Sequence, residues 1–259
     1  MKILVTGATG NLGKSLIPEL IKKHQIAVII KEDNVAENFS KKFPLIKVYK
    51  GDITDSKFLK KSILEYNPEC ILHAAAITNA EFCENNKEVA WKVNVNATKN
   101  LLDISLSNNP NIYFVYISTS GVFDCGGGGY DEDSIPNPQN YYCLTKLEGE
   151  NAIKKSKNVC IIRTSFVSRE KWPYKKAFID RYGTYLFTTG VAKGIMDVIE
   201  KKPKGVIHLT GNKKISMFDL AKITTPEIEP TTLKEYKGPK LPRDMSLRSK
   251  RWKTYSLED

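Results

Sequence analysis

Histidine is the scarcest chemistry-bearing residue in this chain: three occur in 259 residues, His24, His73 and His208, far apart in sequence. That leaves little from which to build a histidine-ligated metal centre or a Ser-His-Asp triad. Cysteine is sparse as well. Cys70, Cys83, Cys125, Cys143 and Cys160 are odd in number and include no Cys-x-x-Cys pair, which argues against a disulfide framework and a zinc site. All five read as reduced thiols, and no metal is expected. No stretch approaches the ~18 apolar residues of a membrane span. The first apolar strand begins at Lys2, leaving no room for a signal peptide, so the expectation is a soluble, cytoplasmic chain with no membrane partner.

Acidic residues are outnumbered, 29 to 40, giving a formal net charge of +11. The basic residues are widely spread and no standard nucleic-acid motif accompanies them, so nucleic acid is not the expected partner. One local concentration exists in the tail, where Lys234, Lys237, Lys240, Arg243, Arg248, Lys250, Arg251 and Lys253 are interleaved with Tyr236, Trp252 and Tyr255. A surface segment packed on the core, or one facing a phosphorylated small ligand, is the favoured reading there, with a polyanion contact as the alternative.

What is present in abundance is alternation. Short apolar runs at 2–6, 26–30, 45–49, 70–74, 112–117, 158–162 and 205–209 read as strands. Helical patterns lie between them near 12–23, 33–42, 55–66, 86–107, 140–156 and 189–201. This order predicts an α/β fold, a doubly wound parallel sheet with helices on both faces. Residues 1–163 form the main domain in this reading. Residues 164–259 supply a small, shortened C-terminal lobe and the basic tail, with about 189–209 returning to the main sheet. The run Gly126 to Gly129, followed by Pro136 and Pro138, marks a long loop after the fifth strand.

Two motifs carry chemistry. Lys2 to Thr6 runs into Gly7-Ala-Thr-Gly10-Asn-Leu-Gly13 and then into a helix; strand, glycine-rich turn and helix in that order suit a dinucleotide pyrophosphate, a Rossmann-like arrangement. Tyr142 and Lys146 stand four residues apart, where one helical turn puts a phenol and an ammonium on the same face and the cation can lower the phenol's pKa. The neighbouring Tyr141 has Thr145 at that spacing, so Tyr142 is the acid/base candidate. Ser118-Thr119-Ser120 ends the preceding strand and can supply a hydroxyl to the same site.

Seven segments together resemble the extended short-chain dehydrogenases/reductases, and among them the dTDP-4-dehydrorhamnose reductase family. They are Thr6 to Gly13, Gly51 to Asp55, His73 to Ala76, Trp91 to Asn94, Tyr116 to Asp124, Tyr142 to Glu150 and Ile162 to Ser165. The resemblance implies Thr119, Tyr142 and Lys146 as catalytic residues, with Lys146 also binding the nicotinamide ribose. It implies a cofactor site from Gly7, Thr9, Gly10, Asn11, Leu12 and Gly13, with Asp52 and Ile53 at the adenine and Ala74, Ala75 and Ala76 backing the ribose and nicotinamide. Asn94 is implied in a supporting role; a buried amide satisfying backbone is its plainer reading. Thr78, Ser120, Arg163 and Arg243 are expected to face the substrate, a nucleotide sugar reduced at its 4-keto group in carbohydrate biosynthesis.

The second strand ends at Lys31, followed by Glu32 and Asp33. With Lys31 in register NADP(H) is favoured; a slip of two or three residues would bring Asp33 to the ribose and favour NAD(H). Ser120 and Gly121 stand where the resembled family carries an aspartate and an aromatic, and Gly121 is expected to open space. Epimerisation of a nucleotide sugar is an alternative. So is a non-catalytic, NADP-binding regulatory subunit, because the regulatory subunit of methionine adenosyltransferase resembles the same family. A homodimer is one assembly open to such a chain.

Overall fold

The structure, a computed structural model, describes residues 1–124 and 126–257; Cys125 therefore lies outside the described residues. Seven parallel strands form the main sheet: β1 (Lys2–Thr6), β2 (Gln25–Ile30), β3 (Lys47–Lys50), β4 (Cys70–His73), β5 (Tyr113–Thr119), β6 (Val159–Thr164) and an edge strand, Gly205–His208. Their spatial order is Gly205–His208, β6, β5, β4, β1, β2, β3. The chain winds outward from β1 to β3, then returns to lay β4 on the other side of β1. Ligands of open α/β sheets bind at such a reversal, at the carboxyl ends of the strands.

Alternation along each strand feeds two buried layers. Ile3, Val5, Val28 and Leu72 face one side and pack with Leu16, Ile17 and Leu20 of α1 (Asn11–Leu20) and Val191, Ile195 and Val198 of α8 (Thr188–Lys201). Leu4, Ile29, Ile71 and Phe114 face the other side, against Leu59 and Ile63 of α3 (Ser56–Tyr66), Leu101 of α6 (Ala97–Asn108) and Ile153 of α7 (Tyr141–Ile153). The first layer is completed by α2 (Asp33–Lys42), through Ala36 and Phe39. The helical stretch read near 86–107 is broken into α5 (Lys87–Trp91), a π turn (Lys92–Asn96) and α6, and α4 (Ala80–Asn85) precedes it.

Beyond β6 the chain builds from pieces too short to announce themselves. Phe166–Val167 pairs with Leu186–Phe187, Tyr182–Gly183 with Ile215–Ser216, and Lys176–Phe178 with Glu229–Thr231, beside the helix α9 (Met217–Thr224). Val122, Phe123, Tyr185, Phe187, Leu220, Met245 and Leu247 form one core here, and Ala177, Ala221 and Ile228 form a smaller one beside the third pair. The basic tail is thus anchored by buried apolar residues. Its cations meet acids of the loop after β5: Lys250 lies 2.9 Å from Asp131, and Arg251 pairs with Asp133.

Candidate active site

The glycine-rich turn is shaped by close approach. Gly7 has φ +77°, and a Cβ there would lie 2.7 Å from the Ala74 carbonyl carbon and the Ala75 nitrogen. Only glycine lets the β1 turn touch the end of β4 so closely. At Gly13 a Cβ would lie 2.2 Å from the Ala8 carbonyl oxygen, so the first turn of α1 sits directly on the loop. Gly10 caps α1 without a side-chain hydrogen bond, leaving the helix's first amides to a ligand or solvent, with Thr9, Gly10 and Asn11 exposed and Leu12 buried beneath. These features fit a dinucleotide pyrophosphate.

At the neighbouring strand end, Lys31 follows β2 directly and its ammonium lies 2.9 Å from Asp52; Glu32 caps α2 and Asp33 begins it. The register is therefore the one that puts Lys31, not Asp33, at the tip of the strand. Burial opposes the charge of Asp52, but the Thr54 amide and Lys31 outweigh it and hold the carboxyl below its usual range. Ile53 packs against the core beneath this turn.

The candidate reacting groups come from β5 and α7. Asn140 accepts a hydrogen bond from the Cys143 amide at 2.9 Å and Glu84 one from the Tyr141 amide at 2.7 Å, fixing where α7 starts. Tyr142 thus sits in the first turn, and Thr119 at the end of β5 is near enough to act on its phenol while its hydroxyl accepts the Gly121 amide at 3.1 Å. Burial pushes that phenol above its ordinary value, with the Cys143 and Cys83 thiols adding to the rise and Thr119 pulling against it. The expected lowering by Lys146 is not realised in the protein alone. Lys146 is itself 3% exposed, its ammonium 4.0 Å from the centre of the Tyr116 ring, and burial lowers its pKa to about 7 while Glu150 pulls the other way.

Asn94, turned inward by the π turn, receives the Ile77 amide at 2.8 Å and donates to the Ile77 carbonyl and the Thr145 hydroxyl, each at 2.9 Å. Its whole amide is engaged by protein, so it shapes the Ala74 to Thr78 loop rather than offering a polar atom to a ligand. His73, which the sequence reading left without a role, sits behind that loop. Thr98 donates to the Asn94 carbonyl, so it accepts from His73 Nε2, and His73 Nδ1 accepts from Thr6. Thr6 in turn accepts the Ala75 amide at 3.2 Å, tying β1 to the Ala74 to Thr78 loop.

The four substrate candidates divide. Thr78 and Arg243 are exposed. Arg163 is not available: its guanidinium holds Glu150 through two nitrogens, Nη2 at 2.7 Å and Nε at 3.1 Å, with both side chains buried. Ser120 is fully buried and bonded to Ser165. Nor does Gly121 open space, since a Cβ there would lie 2.6 Å from the Cys143 sulfur, which already fills the gap. Arg181 was missed. Its guanidinium lies between the sulfurs of Met217 and Met245, and its charge reaches Cys143 beside Tyr142. Nothing local in sequence marks it, because its neighbours come from residues 36 and 64 positions away.

No group of three or more His, Cys, Asp or Glu is arranged to hold a metal among the described residues, and no described helix is long and apolar enough to cross a membrane. Cys70, Cys83, Cys143 and Cys160 are free and buried. A cleft of about 670 Å³ lined by Lys2, Lys23, His24 and Glu69 opens at the opposite, amino-terminal ends of the strands, and none of the candidate residues lines it.

A Rossmann-like sheet with a glycine turn at its reversal point and a Thr, Tyr and Lys set on the adjoining strand end and helix defines an extended short-chain dehydrogenase/reductase architecture. The chain belongs to the family described as RmlD substrate binding domain, whose profile matches residues 1–181. Among solved structures it resembles a hypothetical dTDP-4-dehydrorhamnose reductase from Sulfolobus tokodaii, 32% identical over 97% of this chain and 93% of that one, with a TM-score of 0.82. It also shares the fold of a dTDP-4-dehydrorhamnose reductase from Bacillus anthracis solved in complex with NADP, 24% identical over 96% of this chain and 90% of that one, TM-score 0.80. Among curated proteins, methionine adenosyltransferase 2 subunit beta of Bos taurus is 26% identical over 99% of this chain and 83% of its own length.

Proposed function

We propose that this protein is an NADPH-dependent reductase of a 4-keto group on a nucleotide-linked deoxysugar. The convergence of Thr119, Tyr142 and Lys146 at the strand ends that also carry the glycine turn carries this reading. NADPH, when bound, supplies the hydride. Gly7 to Gly13 would hold its pyrophosphate, Asp52 and Ile53 its adenine side, and Ala74 to Ala76 the wall behind its ribose and nicotinamide. Lys31 favours the cofactor carrying the extra phosphate. Tyr142 donates a proton to the keto oxygen, and its raised pKa keeps that proton in place until the oxygen gains charge. Thr119, at the end of β5 beside Tyr142, would polarise the same oxygen. Thr78 and Arg243, both exposed, and the partly buried Arg181 are the residues assigned to the nucleotide sugar in this reading.

The test is NADPH oxidation measured against a panel of nucleotide 4-ketosugars, with turnover on at least one expected. A second reading, a cofactor-binding regulatory subunit, is supported by the near-complete coverage by methionine adenosyltransferase 2 subunit beta. A specific complex with a partner enzyme, and no turnover on any sugar, would favour it. Tightly co-purifying NAD would point instead to the epimerase alternative.

A further inference from the structure

Lys146 occupies an unusual place for an ammonium. It is buried, its charge rests on the face of the Tyr116 ring, and among the described residues no carboxylate is in ion-pair contact with it. An isolated buried cation tends to lose its proton. The charged and titratable groups around it are few: Tyr142 and Glu150 on its own helix, Tyr116 from β5, His73 from β4, and Arg163 from β6 behind Glu150. His73 is buried with both ring nitrogens bonded to hydroxyls, an arrangement that suits the neutral ring. Glu150 alone can oppose the ammonium. It stands four residues after Lys146, on the same face of α7.

We propose that Glu150 is a positioning residue for Lys146: anchored from its far side by Arg163 and by the Ser118 hydroxyl, its carboxylate keeps the buried ammonium charged. The anchoring explains why the helix tolerates a buried acid here. Arg163 binds both carboxylate oxygens and Ser118 donates to Oε1, so Glu150 cannot swing away to solvent. Because its charge is shared between two cations, it offsets the burial of Lys146 only in part, in keeping with a lysine brought down to about 7 rather than left at its ordinary value. This deepens the reductase reading, in which a charged Lys146 holds the ribose and steadies the Tyr142 phenolate after proton transfer.

The experiment is an NMR titration of Lys146 in protein carrying ¹³C-labelled lysine, its signal assigned by the loss seen in Lys146→Arg. Glu150→Gln removes the one charge that opposes the burial of Lys146, and the Lys146 midpoint should fall by about one pH unit or more. Glu150→Gln/Arg163→Met removes both members of the buried pair at similar volume; its midpoint should also lie below that of the wild type. That double variant also carries the test if Glu150→Gln alone fails to fold. A midpoint that stays at the wild-type position in either folded variant overturns the proposal. The readout needs no turnover, so it stands apart from the reductase reading. If the midpoint moves while the alkaline limb of kcat/KM stays in place, Glu150 has its role and the assigned function of Lys146 in reduction does not.

Discussion

The Lys31 ammonium lies 2.9 Å from the Asp52 carboxylate, bridging the tips of β2 and β3 where the adenine ribose of a dinucleotide would rest. In the NADPH reading the pair would hold a cation where a 2′-phosphate sits, while a candidate to repel one, Asp33, is drawn into α2 and exposed. Lys31→Ala should therefore weaken NADPH binding about tenfold, the scale of one charge-assisted hydrogen bond, and change NADH binding less than about twofold. Fluorescence titration of both cofactors checks it. Equal losses for the two would remove Lys31 from cofactor choice.

In the reductase reading, proton transfer depends on Tyr142 and Thr119. Tyr142→Phe keeps the ring in its partly buried seat and removes only the hydroxyl, so NADPH affinity should be unchanged while kcat falls by about 100-fold or more. Thr119→Val should produce a smaller drop, since it orients the phenol and the keto oxygen but donates no proton to product. Steady-state kinetics beside cofactor titration separate these effects. Near-normal turnover by the phenylalanine variant would falsify the mechanism.

The sheet was readable because each strand is a compact apolar run: β1, β4 and the edge strand at 205 begin where the sequence predicts, and the other four begin within one or two residues. The strand order was not, since nothing local tells β4 to return beside β1. The glycine turn announced itself through spacing, and its strand contact explains the spacing. Arg163 misled for a physical reason. A lone arginine at a strand end looks like a substrate cation until its partner is known, and Glu150 lies 13 residues before it on the facing helix. Residues 166–187 and 215–257 defeated periodicity altogether. Their pairings span two or three residues and bring together segments such as Tyr182 and Asp244, distant in sequence.

His73 links the β1 end to Asn94 as a neutral ring, and burial lowers its pKa to about 3, with the charge of Lys146 adding to the effect. Unfolded, the same imidazole titrates near 6.5. Between those values the unfolded chain binds the extra proton, so stability attributable to this residue is lost as pH falls from about 6.5 toward 3. His73→Gln should be less stable than wild type at pH 7 by about 2 kcal/mol, through broken hydrogen bonds to Thr6 and Thr98. The gap should narrow at pH 4.5, because only the wild type carries that proton debt. Urea unfolding at the two pH values measures it, and a gap that stays constant would show that His73 does not titrate between them.

Glu132 closes the tail onto the loop that precedes α7. It is buried, and it accepts the His208 amide at 3.0 Å, the Lys250 amide at 2.9 Å and the Ser249 hydroxyl at 2.8 Å. Burial opposes its charge, but these donors outweigh that and hold its pKa below the ordinary glutamate value. The salt bridges beside it are different in kind: Lys250 and Arg251 are about half exposed, where ion pairs contribute little and salt screens them. Glu132→Ala should thus cost about 2 kcal/mol or more by stranding buried donors, while Lys250→Ala/Arg251→Ala should cost under about 1 kcal/mol and lose even that at high salt. Urea unfolding at low and high ionic strength, with limited proteolysis across 248–253, distinguishes the two. If the double variant proved the more damaging, the tail would be held by its surface charges and not by the acid beneath them.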